Sequence, residues 1–140
     1  MSTVVEYFIA DSEESAEALV SEGPGGSGWR GVPGPDPSVA LTALATLASG
    51  ISFDDYLEED DFCGLVAQDG DTVVITVSRA VVDAIAKIKV EKSADLLAKW
   101  VAADESLRDS SLEDLGYFVE EFQDLAGDGY ANQIYAWIQP

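Results

Sequence analysis

The chain has 140 residues, 47% of them hydrophobic, with 27 acidic residues against seven basic ones, no histidine and one cysteine. That hydrophobic content fits a folded domain rather than a disordered acidic tail, and a net charge of −20 is wrong for gripping nucleic-acid phosphates, which takes lysine and arginine. The missing histidines exclude Ser-His-Asp and Cys-His catalysis and imidazole metal ligands. The single Cys63 excludes an intrachain disulfide, a CxxC redox pair and a thiolate zinc site.

Thr3 to Ala10 reads as a strand with apolar residues on both faces, Val5, Tyr7 and Ile9 against Val4 and Phe8, as in a sheet covered on both sides. Glu6 interrupts it. A carboxylate there is either paired with an arginine such as Arg30 or Arg79, at an edge facing water, or placed in a pocket. This N-terminus lacks the basic n-region of a signal peptide, and no apolar run approaches the roughly 18 residues of a membrane span. A cytoplasmic, non-membrane protein is expected. Asp11 to Glu14 places acceptor side chains and then acids at a helix start. Ala16, Leu19 and Val20 form its apolar stripe and Gly23 its stop.

Residues 23–37 hold six glycines and four of the five prolines, a Gly/Pro-rich loop long for an ordered connection. It has no lysine to make a phosphate loop and no dinucleotide fingerprint. Trp29 and Arg30 sit within it. They either plug the loop onto the core or present an aromatic and a guanidinium to a partner.

Asp36 as N-cap and Pro37 at the first helical position open a helix through Leu41, Leu44 and Leu47 that is apolar on most sides and ends at Gly50. Ser52 caps a short helix with Phe53, Tyr56 and Leu57 inward. Its outer side, with the residues that follow, is the densest acidic patch: Asp54, Asp55, Glu58, Glu59, Asp60 and Asp61. Like charges at i, i+4 cost only a few tenths of a kcal/mol, so the patch needs no cation. No metal or other cofactor is expected. The patch is a solvated face or a surface for a basic protein.

Leu65 to Val77 reads as a hairpin, with Asp69-Gly70 as its two-residue turn. Val73, Ile75 and Val77 point one way and Thr72 and Thr76 the other. Those threonines face water or line a polar pocket under the Gly/Pro loop. Ser78 is the expected N-cap of a helix through Val81, Val82, Ile85 and Ile88. Lys87, Lys89 and Lys92 suit that helix's C-terminus. Ser93 is the expected cap of a helix with Leu97 and Trp100. Ser111 and Asp114 form a capping-box-like start for a helix through Leu115, Phe118, Val119 and Phe122, with Tyr117, Phe118 and Phe122 as core aromatics, broken at Gly127. Gln133 to Ile138 is the last strand.

The expected fold is a single α+β domain, residues 1–140. It has a small sheet of about four strands, including a 64–77 hairpin and both terminal strands, packed with five to six helices. The pattern of Val5-Glu6-Tyr7, the small-residue helix ending at Leu47 to Gly50, the strand-then-helix of Val77 to Val82, and the late helix with Phe118, Val119 and Phe122 resembles the uncharacterised YfbM-like family of small bacterial α+β proteins. The resemblance implies a fold and no established activity.

Function narrows to three classes. The first is a non-enzymatic protein-interaction module, of inhibitor or immunity type, meeting a basic protein through Asp54, Asp55, Glu58, Glu59, Asp60 and Asp61 and through Trp29 and Arg30. The second is a small carboxylate-based enzyme or ligand-binding domain using Glu6 or the acidic patch. The third is a domain whose acidity is an adaptation to salt. No catalytic residue is identified.

Overall fold

Alternating and 3.6-period patterns become strands and helices in a computed structural model that describes residues 3–26, 28, 30–128 and 133–140. Among these the order is β1 (Val4–Ala10), α1 (Glu13–Glu17), α2 (Gly23–Gly26), β2 (Val32–Pro33), α3 (Ala40–Ser49), α4 (Phe53–Leu57), β3 (Leu65–Asp69), β4 (Thr72–Thr76), α5 (Arg79–Ala86), α6 (Val90–Ala103), a 3₁₀ turn (Glu105–Leu107), α7 (Leu112–Asp128) and β5 (Gln133–Gln139). The fold is α+β, with one antiparallel sheet in the order β2-β1-β5-β4-β3. The terminal strands pair along their whole length, from Val4 opposite Gln139 to Ala10 opposite Gln133.

Five strands and seven α-helices exceed the expected four and five to six. The fifth strand and the seventh helix both come from the Gly/Pro-rich stretch. Pro33 has no N–H to give, which suits the sheet edge where β2 lies. Gly23, with φ +77°, is the first residue of the single turn of α2, and Pro24 follows it. The hairpin turn also sits one residue later than expected. Asp69 pairs with Thr72, so Gly70 and Asp71 are the central residues. Only Gly70, φ +63°, has positive φ, the II′ pattern. The edge strand β3 carries an irregularity between Leu65 and Ala67, a feature that discourages edge-to-edge pairing.

The sheet is covered unequally. On one face Tyr7, Ile75 and Ala136 pack under α3, α5, α6 and α7. Tyr7 lies 5.4 Å from Phe122, edge to face, and 5.7 Å from Phe118. Trp100 is fully buried, and its indole N–H donates to the Ala40 carbonyl at 2.8 Å, tying α6 to the first residue of α3. Gln123 donates to the carbonyls of Ile85 and Ile88, at 3.1 and 3.0 Å, which satisfies acceptors at the open end of α5. On the other face Phe8, Val74, Tyr135 and Trp137 are covered by Ala16 and Leu19 of the α1 segment. Trp137 donates its indole N–H to the Val20 carbonyl at 2.9 Å.

Several expected roles are reassigned. Leu57 and Tyr117 are exposed rather than inward, at 44% and 59%. Ser93 lies inside α6, which starts at Val90, and its hydroxyl donates to the Val90 carbonyl. Ser78 makes no capping bond; the start of α5 is capped by Asp61, which accepts the Arg79 backbone N–H at 2.8 Å. Thr76 is half-buried, and its partners lie in the turn before β3 rather than in the Gly/Pro loop. Its hydroxyl donates to the Asp61 carbonyl (2.6 Å) and accepts from the Gly64 N–H (2.9 Å), holding the turn into β3. Helix α7 continues through Gly127 to Asp128. Among the described residues no helix is long and apolar enough to cross a membrane.

Candidate functional site

A concavity lies on the helical face of the sheet, where β1 begins and β5 ends. One wall is the turn after β2. The Gly34 N–H donates to the Val5 carbonyl at 3.1 Å, and the Tyr7 hydroxyl donates to the Pro35 carbonyl at 2.6 Å, so β1 holds this turn at two points. Asp36 accepts the Val39 N–H at 2.6 Å and the Ser38 hydroxyl at 2.8 Å. This is the N-cap chemistry expected of Asp36-Pro37, although regular helix begins only at Ala40. Gly34 is a glycine because a Cβ there would sit 2.7 Å from Phe118 Cδ1 and 2.9 Å from Tyr7 Cε2.

The opposite wall is the start of α7. Ser111 Oγ accepts the Asp114 N–H at 3.0 Å, and the Ser111 carbonyl accepts the Leu115 N–H at 3.1 Å. The capping motif thus sets Asp114 and Leu115 in the first turn of α7 and Phe118 one turn further on. Between the walls is a cleft of about 660 Å³, within the range of about 300–1,000 Å³ usual for ligand pockets. Its floor is apolar, from Val5, Leu115, Phe118 and Ile138; its polar groups include Asp36, Asp114, Ser110 and Thr3. No lysine or arginine is among its lining residues. A second hollow, of about 70 Å³ beside Val90 and Gly116, has room for little more than water.

The charge of Asp36 is felt nearby. Burial, then Asp36, pushes the Tyr7 hydroxyl well above its ordinary value, so it stays a protonated donor to Pro35. Burial, then Asp36, also raises the Cys63 thiol to about 11. Cys63 is therefore no poised nucleophile at neutral pH.

The residues singled out from sequence lie elsewhere. Asp54, Asp55, Glu58, Glu59 and Asp60 are exposed on α4 and the turn after it; Asp61 is half-buried and serves as the α5 cap. Arg30 is exposed and pairs with Glu121 at 2.7 Å. Trp29 lies outside the described residues. Glu6 is half-buried and faces Gly25 and Gly31 beneath the Gly/Pro-rich segment; it is not among the residues lining the cleft. Among the described residues no group of three or more Cys, Asp or Glu is placed to hold a metal ion. Asp36 and Asp114 were both legible as helix-start residues, and nothing in their local patterns says that the two starts meet at one cleft. Comparisons with protein-family models, curated proteins and solved structures return no match.

Proposed function

We propose that this chain is a non-enzymatic protein-interaction module that meets a basic protein, in an inhibitor or immunity-type role. The observation that carries the reading is the state of the acids on α4 and its following turn. Asp54, Asp55, Glu58, Glu59 and Asp60 are all exposed. Four ion pairs among the described residues, Arg30 with Glu121, Arg79 with Asp83, Lys99 with Asp95 and Arg108 with Glu105, lie outside this patch. Such a surface steers a basic partner at long range and loses its pull within about 10 Å at 0.1 M salt.

The test is capture of basic proteins from a lysate by the immobilised chain, at about 0.05 M and 0.5 M salt. The comparison is a variant with Asp54→Asn, Asp55→Asn, Glu58→Gln, Glu59→Gln and Asp60→Asn. The native chain is expected to retain a basic protein at low salt only, and the variant to lose it. Equal recovery by both would sink the proposal. A second reading, a small ligand-binding domain, is favoured by the 660 Å³ cleft. A salt-adapted domain without a charge-dependent partner would show no capture and a stability that climbs steeply into molar salt.

A further inference from the structure

We infer that the cleft between the turn at Gly34–Asp36 and the start of α7 is the anchor pocket of this module: it takes an arginine side chain of the basic partner together with an adjacent apolar side chain. The inference rests on the interaction reading above and names which part of the partner is read.

Charge decides the sign of the occupant. Two helix starts border the cleft, and each helix N-terminus carries roughly half a positive charge, which alone would favour an anion. Asp36 and Asp114 answer with two carboxylates from two different walls, and among the described lining residues there is no lysine or arginine. The balance is negative, within a chain of net charge −20. An acidic or phosphorylated segment would be repelled.

Shape decides the rest. A solvated ammonium needs only the acids, and the exposed patch on α4 would serve it equally well. The cleft differs from that patch in having an apolar floor, with Val5, Leu115 and Phe118 below the carboxylates. A long apolar stem ending in a cation matches that order of surfaces. Arginine is favoured over lysine because its planar guanidinium binds carboxylates through a fork of donors and stacks on aromatic faces. The remaining floor suits a neighbouring leucine-like side chain. The walls are held before any partner arrives, by the Tyr7–Pro35 and Gly34–Val5 hydrogen bonds on one side and the Ser111 cap on the other, so little ordering is left to binding.

The probe is the capped dipeptide acetyl-Leu-Arg-amide, followed through the backbone amide resonances of the full chain. Acetyl-Leu-norleucine-amide and acetyl-Leu-Glu-amide are the comparisons. The arginine peptide is expected to shift the amides of Gly34, Asp36, Asp114 and Leu115, with the norleucine peptide weaker and the glutamate peptide silent. Asp114→Asn should weaken the arginine peptide about three- to fivefold, as for loss of one partly exposed charge pair, and Asp114→Lys by more. Far-UV circular dichroism verifies that both variants keep their helices.

Equal binding of the norleucine peptide would overturn the proposal in favour of an apolar ligand cleft. Binding of the glutamate peptide would reverse the assigned charge. Shifts confined to Asp55 and Glu58 and indifferent to Asp114→Lys would remove the anchor pocket while leaving the acidic-module reading standing. The converse is also separable. Cleft shifts that respond to Asp114, with no capture of a basic protein at any salt, would keep the pocket and sink the module.

Discussion

The two faces of the sheet are made by the same strands and end up as different kinds of surface. Tyr7 and Phe8 are neighbours in β1, and both are completely buried. Tyr7 goes under the layer of α3, α5, α6 and α7, and a cleft opens near the start of α7. Phe8 goes under a five-residue helix and the turns around Gly23, whose backbone packs against Trp137. Alternating strand residues therefore guarantee burial and say nothing about what covers them. The thick helical layer leaves room for a site because helices meet as cylinders; over the other face, loop backbone can mould to single side chains.

The sharpest way to break this comparison is to truncate one tryptophan on each face. Trp100→Ala should destabilise by about 3–5 kcal/mol, since the surrounding helices cannot close around the void. Trp137→Ala should cost less, because the thin layer over it is free to collapse. Equal losses in urea unfolding would mean that the two layers are equally rigid.

Next in size is an added methyl at the glycines that press on each face. Gly34→Ala drives a Cβ against two aromatic rings, Phe118 and Tyr7, and should cost about 1–3 kcal/mol. It should also disturb the cleft, visible as lost binding of the arginine peptide. Gly31→Ala meets the end of the Glu6 carboxylate, which can swing away, and Pro24 Cβ at 3.4 Å, close to ordinary contact, and should cost less than Gly34→Ala. The reverse order, measured by thermal unfolding, would show that Glu6 is held in place under the Gly/Pro-rich segment.

A smaller effect separates a local cap from a distant one. Asp61→Ala removes the acceptor for the Arg79 N–H and should cost about 1 kcal/mol. Ser78→Ala should be neutral or slightly stabilising, because the buried Ser78 hydroxyl has no hydrogen-bond partner among the described residues. Chemical denaturation of the two variants settles which residue starts α5.

A further effect is alkaline. Cys63 and Tyr7 both hold their protons more tightly in the folded chain. Their contribution is fully present below the unfolded pKa and is lost as pH rises through the folded one. For Cys63 that window runs from 9.0 to about 11. Stability should fall across it, and native-state alkylation of Cys63 should stay slow until the same range. Fast labelling at pH 8 would contradict the burial assigned to the thiol.

Local physics determined most of the elements. The period-2 pattern of Val73, Ile75 and Val77 placed β4 and its inner face, the 3.6-residue spacing of Leu115, Phe118 and Phe122 placed α7, and Gly50, with φ +80°, ended α3. Each of these depends on neighbours a few residues away. Local patterns misled where a closer candidate was outcompeted from a distance: Ser78 by Asp61 for a cap, and the read turn Asp69-Gly70 by a register that centres on Gly70 and Asp71. They were silent about β2 and α2, because glycine and proline mark irregular backbone without saying what it will pair with. Only the tertiary structure decided that Arg30 meets Glu121, that Asp61 leaves the acidic patch for a capping role, and that Asp36 and Asp114 share one cleft. These are juxtapositions of residues far apart in the chain, set by how the helices pack across the sheet, and no pattern within either segment records them.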